Sequence, residues 1–126
     1  MISVDYFRDL ETPRLAALAP NLIAAAFPLM KLMPARFVLD QAQAAGALKP
    51  GGHIVETTSG TFGMALALLA AARGYRLTLV TTTGLTDTKF KARLERIGAN
   101  VIALNDERGD GDQAGRLDKL HEILSG

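Results

Sequence analysis

The stretch that most constrains the fold runs from His53 to Gly74, HIVETTSGTFGMALALLAAARG. A short apolar run is followed by a loop of small residues and then directly by an Ala/Leu-rich segment. This pattern predicts a strand, a tight loop and a helix. The first N–H groups of a helix lack intrahelical partners, and the helix dipole favours negative charge there. The stretch therefore predicts a binding site for an anionic small molecule.

The spacing of the apolar runs predicts the fold class. Strands are expected to start at 53, 76 and 100, with a helix after each. Alternation of this kind is typical of a parallel sheet with helices on both faces, a three-layer αβα architecture. Capping and stop residues place the other helices at 34–45, from Asp87 or Thr88 to 97, and at 113–124.

The first 30 residues are predicted to form an irregular lead-in to a single α/β domain that covers 1–126, with the βα units in 31–126. An irregular stretch is expected over 1–20, and 21–27 suggests a buried strand despite its three alanines. Prolines interrupt the apolar run of 15–30, which is too short to span a bilayer.

Composition excludes several function classes. With 48% hydrophobic residues, the 126-residue chain can build a core, and its net charge of +1 does not predict nucleic-acid binding. The absence of Cys excludes disulfides and thiol chemistry, and two separated His residues do not suggest a metal site. The acidic residues near the amino terminus do not fit a signal peptide, so we expect a cytoplasmic protein with no membrane partner.

The loop at 57–63 has two main interpretations, and a third, a nucleotide-binding Rossmann unit, matches the sequence less well. It is either a capped strand-to-helix turn or, because small polar residues outnumber what one cap requires, an open floor for a ligand. A dinucleotide site requires G-x-G-x-x-G and an acidic residue about 20 positions later. Only Gly60-x-x-Gly63 is present, and Val80 stands where the acid should be. The run Asp110-Gly111-Asp112 lacks two ligands of a calcium loop and is interpreted as a solvated turn.

Lys31 lies between apolar residues in PLMKLMP. Such a lysine either extends its ammonium group to water along an apolar surface or is held in an apolar pocket. In a pocket, desolvation would lower the pKa of the amine and make it nucleophilic enough to form a Schiff base. Spacing alone leaves both interpretations open.

The run from Lys31 to about Leu104 resembles the fold type II pyridoxal-phosphate enzymes, the cysteine synthase and β-replacement family to which the tryptophan synthase β-subunit is related. Thr58-Ser-Gly-Thr-Phe-Gly63 is similar to the family's T-S-G-N-x-G substrate loop. The turn, the following helix and a later segment also match, in LKPG at 48–51, GMALA at 63–67, AARGY at 71–75 and GANV at 98–101. Alignment backwards from Leu48 places the family's Schiff-base lysine on Lys31. The segment PARFV at 34–38 resembles a branch that makes diaminopropionate precursors of siderophores.

The resemblance implies a site and a reaction. Lys31 would hold pyridoxal 5'-phosphate and shuttle the α-proton of an amino-acid substrate. The loop residues Thr58, Ser59, Gly60 and Thr61 would receive the substrate carboxylate. Thr61, in place of the family's Asn, would also face the cofactor. The expected reaction is replacement of a β-substituent, with the cofactor as the electron sink.

Departures from the family pattern keep a second function open. Leu32 and Met33 replace the usual Asp-Arg, and Pro28-Leu29 replaces the preceding Gly-Ser. The family also continues into a larger part that carries the phosphate-binding loop, so this chain alone is expected to be incomplete. The expected partners are an amino-acid substrate and either a second copy or a chain carrying the C-terminal domain. The alternative is a non-catalytic module that binds a partner chain or an amino-acid carboxylate.

Overall fold

The computed structural model describes residue 10, residues 12–58 and residues 60–126. Strands and helices follow one another along this part of the chain as β1 (Arg14–Ala19), β2 (Leu22–Ala26), α1 (Leu32–Ala44), β3 (His53–Thr57), α2 (Thr61–Arg73), β4 (Arg76–Thr82), α3 (Thr88–Ile97), β5 (Asn100–Leu104) and α4 (Gln113–Ser125). Strands β3, β4 and β5 begin at the three positions predicted from the sequence.

Strands β3, β4 and β5 form a parallel sheet with β4 at its centre. Helices α2 and α3 pack on one face and α1 packs on α2, whereas α4 contacts β3 and β4. The predicted αβα layering is therefore confirmed. Because the strands are parallel, their carboxyl ends all lie at one edge of the sheet, where Thr57 pairs with Val80 and Thr82 with Leu104.

The core lies between the sheet and helices α1, α2 and α3. Its centre is formed by leucines that are almost fully buried, among them Leu32, Leu66, Leu79 and Leu94. Alanines of α2 complete the same cluster. Small side chains allow this helix to lie close to the sheet, and close packing of this kind is what stabilises an interior.

Helix α3 has a defined start and a defined end. The Asp87 carboxylate accepts a hydrogen bond from the N–H of Phe90 at 2.8 Å, so of the two N-cap residues suggested by the sequence it is Asp87 that caps the helix. At the other end Gly98 has a φ of 116°, a backbone conformation that glycine adopts without the steric cost of a Cβ.

The amino-terminal expectations need correction. Residues 14–19, predicted to be irregular, form β1, which pairs with β2 as an antiparallel hairpin. The strand expected at 21–27 is present as β2, but it is largely exposed and not buried. The first strand was missed because alanine has little preference for strands, and the hydrogen bonds to β2 decide its conformation. Helix α1 begins at Leu32, two residues before the predicted start at Pro34.

No helix in the described residues is long and apolar enough to cross a membrane.

Candidate functional site

The loop between β3 and α2 is held by Thr58. Its side chain is 7% exposed, and its hydroxyl oxygen accepts hydrogen bonds from the N–H of Gly63 at 3.1 Å and of Gly60 at 3.5 Å. Its own N–H donates to the carbonyl oxygen of Val80 at 3.2 Å. The loop is therefore tied both to the helix that follows it and to the central strand of the sheet.

The first N–H groups of α2 have no partner among the described residues. Gly60 is the N-cap and provides no side-chain cap. Within the described residues, the N–H groups of Thr61 and Phe62 have no hydrogen-bond acceptor, as expected for the first turn of a helix. The Thr61 side chain is exposed, whereas the Phe62 ring packs against the core. Thr58 thus anchors this backbone, and unpaired N–H groups at a helix start suit a carboxylate or phosphate. Ser59, the remaining residue of the predicted loop site, lies outside the described residues.

Lys31 is the N-cap residue of α1. Its carbonyl oxygen accepts the N–H of Ala35 at 3.2 Å, which fixes the backbone as part of the first helical turn. Its side chain is exposed, and its ammonium group has no ion pair or hydrogen bond within the part of the chain that the structure describes. The described residues therefore do not enclose Lys31 in the apolar pocket considered from the sequence. They leave its amine accessible.

The core connects Lys31 to the loop. Leu32, the next residue, is fully buried and belongs to the same cluster as Leu66 and Ala65 of α2. Helices α1 and α2 pack directly on each other. Both predicted parts of the site thus lie on adjoining helices. No hydrogen bond joins the Lys31 side chain to Thr58, Gly60 or Thr61.

A second polar group at the carboxyl edge of the sheet was not singled out from the sequence. The hydroxyls of Thr81 and Thr86 lie 2.8 Å apart and are buried. The Thr82 hydroxyl donates to Asp106 at 3.2 Å. The Thr81-Thr82-Thr83 run at the end of a predicted strand was the one sequence signal for this polar group. Its partner Asp106 lies 24 residues after Thr82, so the sequence alone did not connect the two.

Asp106 organises the turn after β5. Its two carboxylate oxygens accept the N–H groups of Gly109 at 2.8 Å and Gly111 at 2.9 Å. Partial burial acts to raise the pKa of Asp106, but hydrogen bonds from Gly111, Gly109, Thr82 and Asp110 outweigh it and lower the pKa below its ordinary value of 3.8. The lowered pKa shows that the Asp106 carboxylate already accepts hydrogen bonds from groups of this chain.

A cavity of about 720 Å³ opens beside this turn and is lined by residues of 105–114. Asp110 and Asp112, from the run interpreted as a solvated turn, accept backbone N–H groups within the same segment. Asp112 caps α4 by accepting the N–H of Gly115. Their carboxylates therefore accept hydrogen bonds from nearby backbone N–H groups.

Comparison with known proteins gives a consistent result. A profile of the family described as "Pyridoxal-phosphate dependent enzyme" matches residues 30–125. Cysteine synthase A of Escherichia coli (strain K12) is 40% identical over 84 residues, which are 67% of this chain and 25% of that protein. N-(2-amino-2-carboxyethyl)-L-glutamate synthase of Ralstonia nicotianae is 30% identical over 97 residues, covering 76% of this chain and 28% of that protein.

Solved structures agree with the sequence matches. The crystal structure of O-ureido-L-serine synthase superposes with a TM-score of 0.67 and 32% identity, covering 93% of this chain and 39% of that chain. The chain spans about a quarter of the length of the curated relatives described above.

Proposed function

The chain belongs to the family of pyridoxal-phosphate dependent enzymes, and on this premise we propose that it supplies the lysine and the substrate loop of an amino-acid β-replacement enzyme similar to cysteine synthase. The family resemblance stated from the sequence is confirmed by the matches to cysteine synthase A and to O-ureido-L-serine synthase. The family's cofactor is pyridoxal phosphate. The activity, substrate and partners of a whole protein containing this chain are part of the proposal.

The observation that carries the proposal is the position of Lys31. A lysine that forms a Schiff base must have an amine that the cofactor aldehyde can reach, and desolvation or a neighbouring cation makes such an amine more nucleophilic. The Lys31 side chain is exposed, its ammonium group has no ion pair or hydrogen bond among the described residues, and its backbone is fixed at the start of α1. In addition, α1 packs on α2, the helix whose start carries the substrate loop. The described residues thus leave Lys31 accessible to a cofactor aldehyde, but they provide no apolar pocket that would activate its amine.

The start of α2 supports the assignment of the substrate carboxylate. Among the described residues the N–H groups of Thr61 and Phe62 have no acceptor, and the helix dipole attracts an anion to them. The exposed hydroxyl of Thr61 adds a side-chain donor next to them. We propose that this end of the helix orients an amino acid by its carboxylate, while the amine of Lys31 accepts and returns the α-proton. The cofactor, when bound, supplies the electron sink that makes the α-proton acidic.

The relatives' names support the reaction class. Cysteine, O-ureido-L-serine and N-(2-amino-2-carboxyethyl)-L-glutamate each contain an amino-acid unit substituted at its β-carbon. We therefore propose an amino acid with a replaceable β-substituent as the substrate. We also propose that the active form contains a second copy or the family's larger C-terminal part.

Specific residues favour the competing function, a module that binds an amino-acid carboxylate or a partner chain without turnover. Leu32 and Met33 stand where the family has Asp-Arg. Leu32 is buried in the core and Met33 is exposed, so neither supplies a charged group beside Lys31. In this alternative the start of α2 retains its anion site and Lys31 remains an ordinary surface lysine.

Trapping the cofactor on the protein separates the two functions. The purified chain is mixed with pyridoxal 5'-phosphate, reduced with borohydride and mapped by mass spectrometry. We expect one dominant adduct on Lys31, lost in Lys31→Ala and retained in the matched control Lys49→Ala, another exposed lysine. Equal labelling of Lys31, Lys49, Lys89, Lys91 and Lys119 would contradict the proposal and favour the non-catalytic module.

A further inference from the structure

We infer that Arg73 is a positioning residue, which sets the position of α1 along α2 and thereby the position of Lys31 relative to the start of α2. The inference rests on the proposed function, because it concerns how Lys31 and the substrate loop are brought together. Of the described helices and strands, α2 is the main element on which α1 packs. The placement of Lys31 therefore depends on the contacts between these two helices.

The apolar contacts between the helices hold them together but are weak guides to one position along the axis. Helix α1 contributes three buried residues, Leu32, Ala35 and Leu39. On α2, half of the buried residues are alanines, which present a low, even surface. The hydrophobic effect is non-directional, whereas a hydrogen bond requires a defined distance and angle. A polar contact can therefore fix the position that apolar packing leaves less defined.

A polar bridge of this kind joins the carboxyl ends of the two helices. Nη1 of Arg73, the last residue of α2, donates to Oδ1 of Asp40 at 2.8 Å and to Oε1 of Gln43 at 2.9 Å. Asp40 and Gln43 are three residues apart and so lie on the same face of α1. Because one nitrogen meets both side chains, a slide of α1 along α2 disturbs both hydrogen bonds.

Gln43 uses both ends of its amide in this bridge. Its oxygen accepts from Arg73, and its nitrogen donates to the hydroxyl of Tyr75. Tyr75 is itself fixed, because its N–H donates to the carbonyl oxygen of Ala70 at 2.9 Å and its side chain packs against the core. The Arg73 side chain is 24% exposed, so solvent screens it less than it screens a fully exposed ion pair. The bridge thus ties α1 to a rigid part of the molecule.

The bridge at the carboxyl ends has a consequence at the amino ends. Both helices contain 13 residues, so each is about 20 Å long. Since they pack on each other and their carboxyl ends meet, they run side by side in the same direction. Their N-cap residues, Lys31 and Gly60, therefore lie toward the same end of the helix pair. Moving α1 along α2 changes the distance between Lys31 and the substrate loop.

The first test measures the distance between the two amino ends. The chain contains no Cys, so Met33→Cys, at an exposed position in the first turn of α1, accepts a nitroxide spin label at a single site. Paramagnetic broadening of the Thr61 and Phe62 amide resonances then reports their distance from α1. In this background Arg73→Met is compared with Arg73→Lys, which keeps a cationic donor. The matched control is Arg96→Met, at an exposed arginine in the last turn of α3.

We expect Arg73→Met to change the broadening of Thr61 and Phe62 by about twofold or more, because it varies with the inverse sixth power of distance and a slide of one residue moves α1 by about 1.5 Å. Arg73→Lys should stay closer to the wild type, and Arg96→Met should match it. Urea unfolding of the same proteins separates positioning from stabilisation. If Arg73→Met is less stable but shows unchanged broadening, Arg73 stabilises the helix pair without positioning it, and the inference is wrong.

A second set of variants tests the bridge from the side of α1. Asp40→Ala/Gln43→Ala removes both acceptors at exposed positions and should reproduce the change in broadening seen in Arg73→Met. Adding Arg73→Met to this double variant should change nothing further, because the bridge is already lost. Independent, additive effects from the two sides would overturn the inference.

The link to the proposed function is tested separately. Pyridoxal 5'-phosphate is attached to Lys31 by borohydride reduction, and the chemical shifts of the Thr61 and Phe62 amides are compared before and after. We expect the adduct to shift both amides in the wild type, and Arg73→Met to alter these shifts. If the wild-type adduct moves neither amide, Lys31 does not face the substrate loop and the proposed function is wrong. The spin-label measurement still decides whether Arg73 sets the position of α1.

Discussion

Asp106 holds the turn after β5 through both of its carboxylate oxygens. Its donors include the backbone N–H groups of Gly109 and Gly111 and the hydroxyl of Thr82. Hydrogen bonds to the ionised form lower the pKa of the carboxyl group below 3.8, despite the opposing effect of partial burial. A group with a lowered pKa stabilises the folded state above its unfolded pKa and loses this contribution as pH falls through the folded value.

We therefore predict that Asp106→Asn destabilises the protein most near neutral pH. The amide cannot accept all three donors, and its NH₂ group faces N–H groups. The difference in free energy of unfolding between wild type and variant should narrow as pH falls below 3.8, the ordinary carboxyl value. Urea unfolding of both proteins at pH 7 and at acid pH measures this difference in free energy. Asp118→Asn, an exposed residue of α4, should show little difference at either pH. A difference for Asp106→Asn that is independent of pH would contradict the assignment.

For individual residues, the sequence identified the candidates but not their hydrogen-bond partners. Lys31 and the loop could be selected because their residue types carry the chemistry. The partners of Asp106 and the internal use of the Thr58 hydroxyl could not be predicted. Each depends on contacts that only the folded sheet creates, as between Thr58 and Val80. For the same reason, the roles of Lys31, Gly60 and Thr61 stay predictions until they are tested.

Among the helices and strands, α3 depends visibly on its first residue. Asp87 accepts the N–H of Phe90 and satisfies one donor of the first turn. We predict that Asp87→Ala lowers the free energy of unfolding by about 1 kcal/mol, the usual value of an N-cap. Asp87→Asn should retain most of it, because asparagine also caps helices. Chemical denaturation of the three proteins measures the difference, and equal losses in both variants would show that charge and not capping is responsible.

The elements were predicted where local signals agree with tertiary contacts. Strands β3, β4 and β5 combine apolar runs with a glycine shortly before each, and helix α3 has both a cap and a glycine stop. Strand β1 has neither a strand-forming apolar run nor a preceding glycine. Its sequence RLAALA could equally form a helix, and pairing with β2 determines its structure. The predicted burial of β2 was wrong for a related reason, since no layer in the described part of the chain covers the hairpin.

For the molecule as a whole, stability is concentrated in the layer between the sheet and helices α1 to α3. Leu79 is fully buried on the central strand, whereas Leu15 of the hairpin is 70% exposed. We predict that Leu79→Ala lowers the free energy of unfolding by about 2–5 kcal/mol, the range for large-to-small substitutions in a core. Leu15→Ala should change it by less than about 0.5 kcal/mol. Thermal and urea unfolding test both, and a comparable loss in Leu15→Ala would show that the hairpin is covered in solution.

The αβα architecture was predictable because the regular spacing of the strand signals shows that strands and helices alternate along the chain. A strand that recurs after each helical segment leaves few arrangements other than a parallel sheet. The spacing could not predict that the hairpin of β1 and β2 forms a sheet of its own. The two sheets share no strand, and the boundary between them follows from pairing partners and not from composition.

The order of the strands across the sheet, β3-β4-β5, is also their order along the chain. Strand β4 pairs with β3, and β5 pairs with β4, in each case across a connection that contains a single helix. Closing such short connections has a small entropic cost. A chain emerging from the ribosome amino end first can therefore add β4 to β3 and then β5 to β4, and no strand has to be inserted later between two strands that already pair.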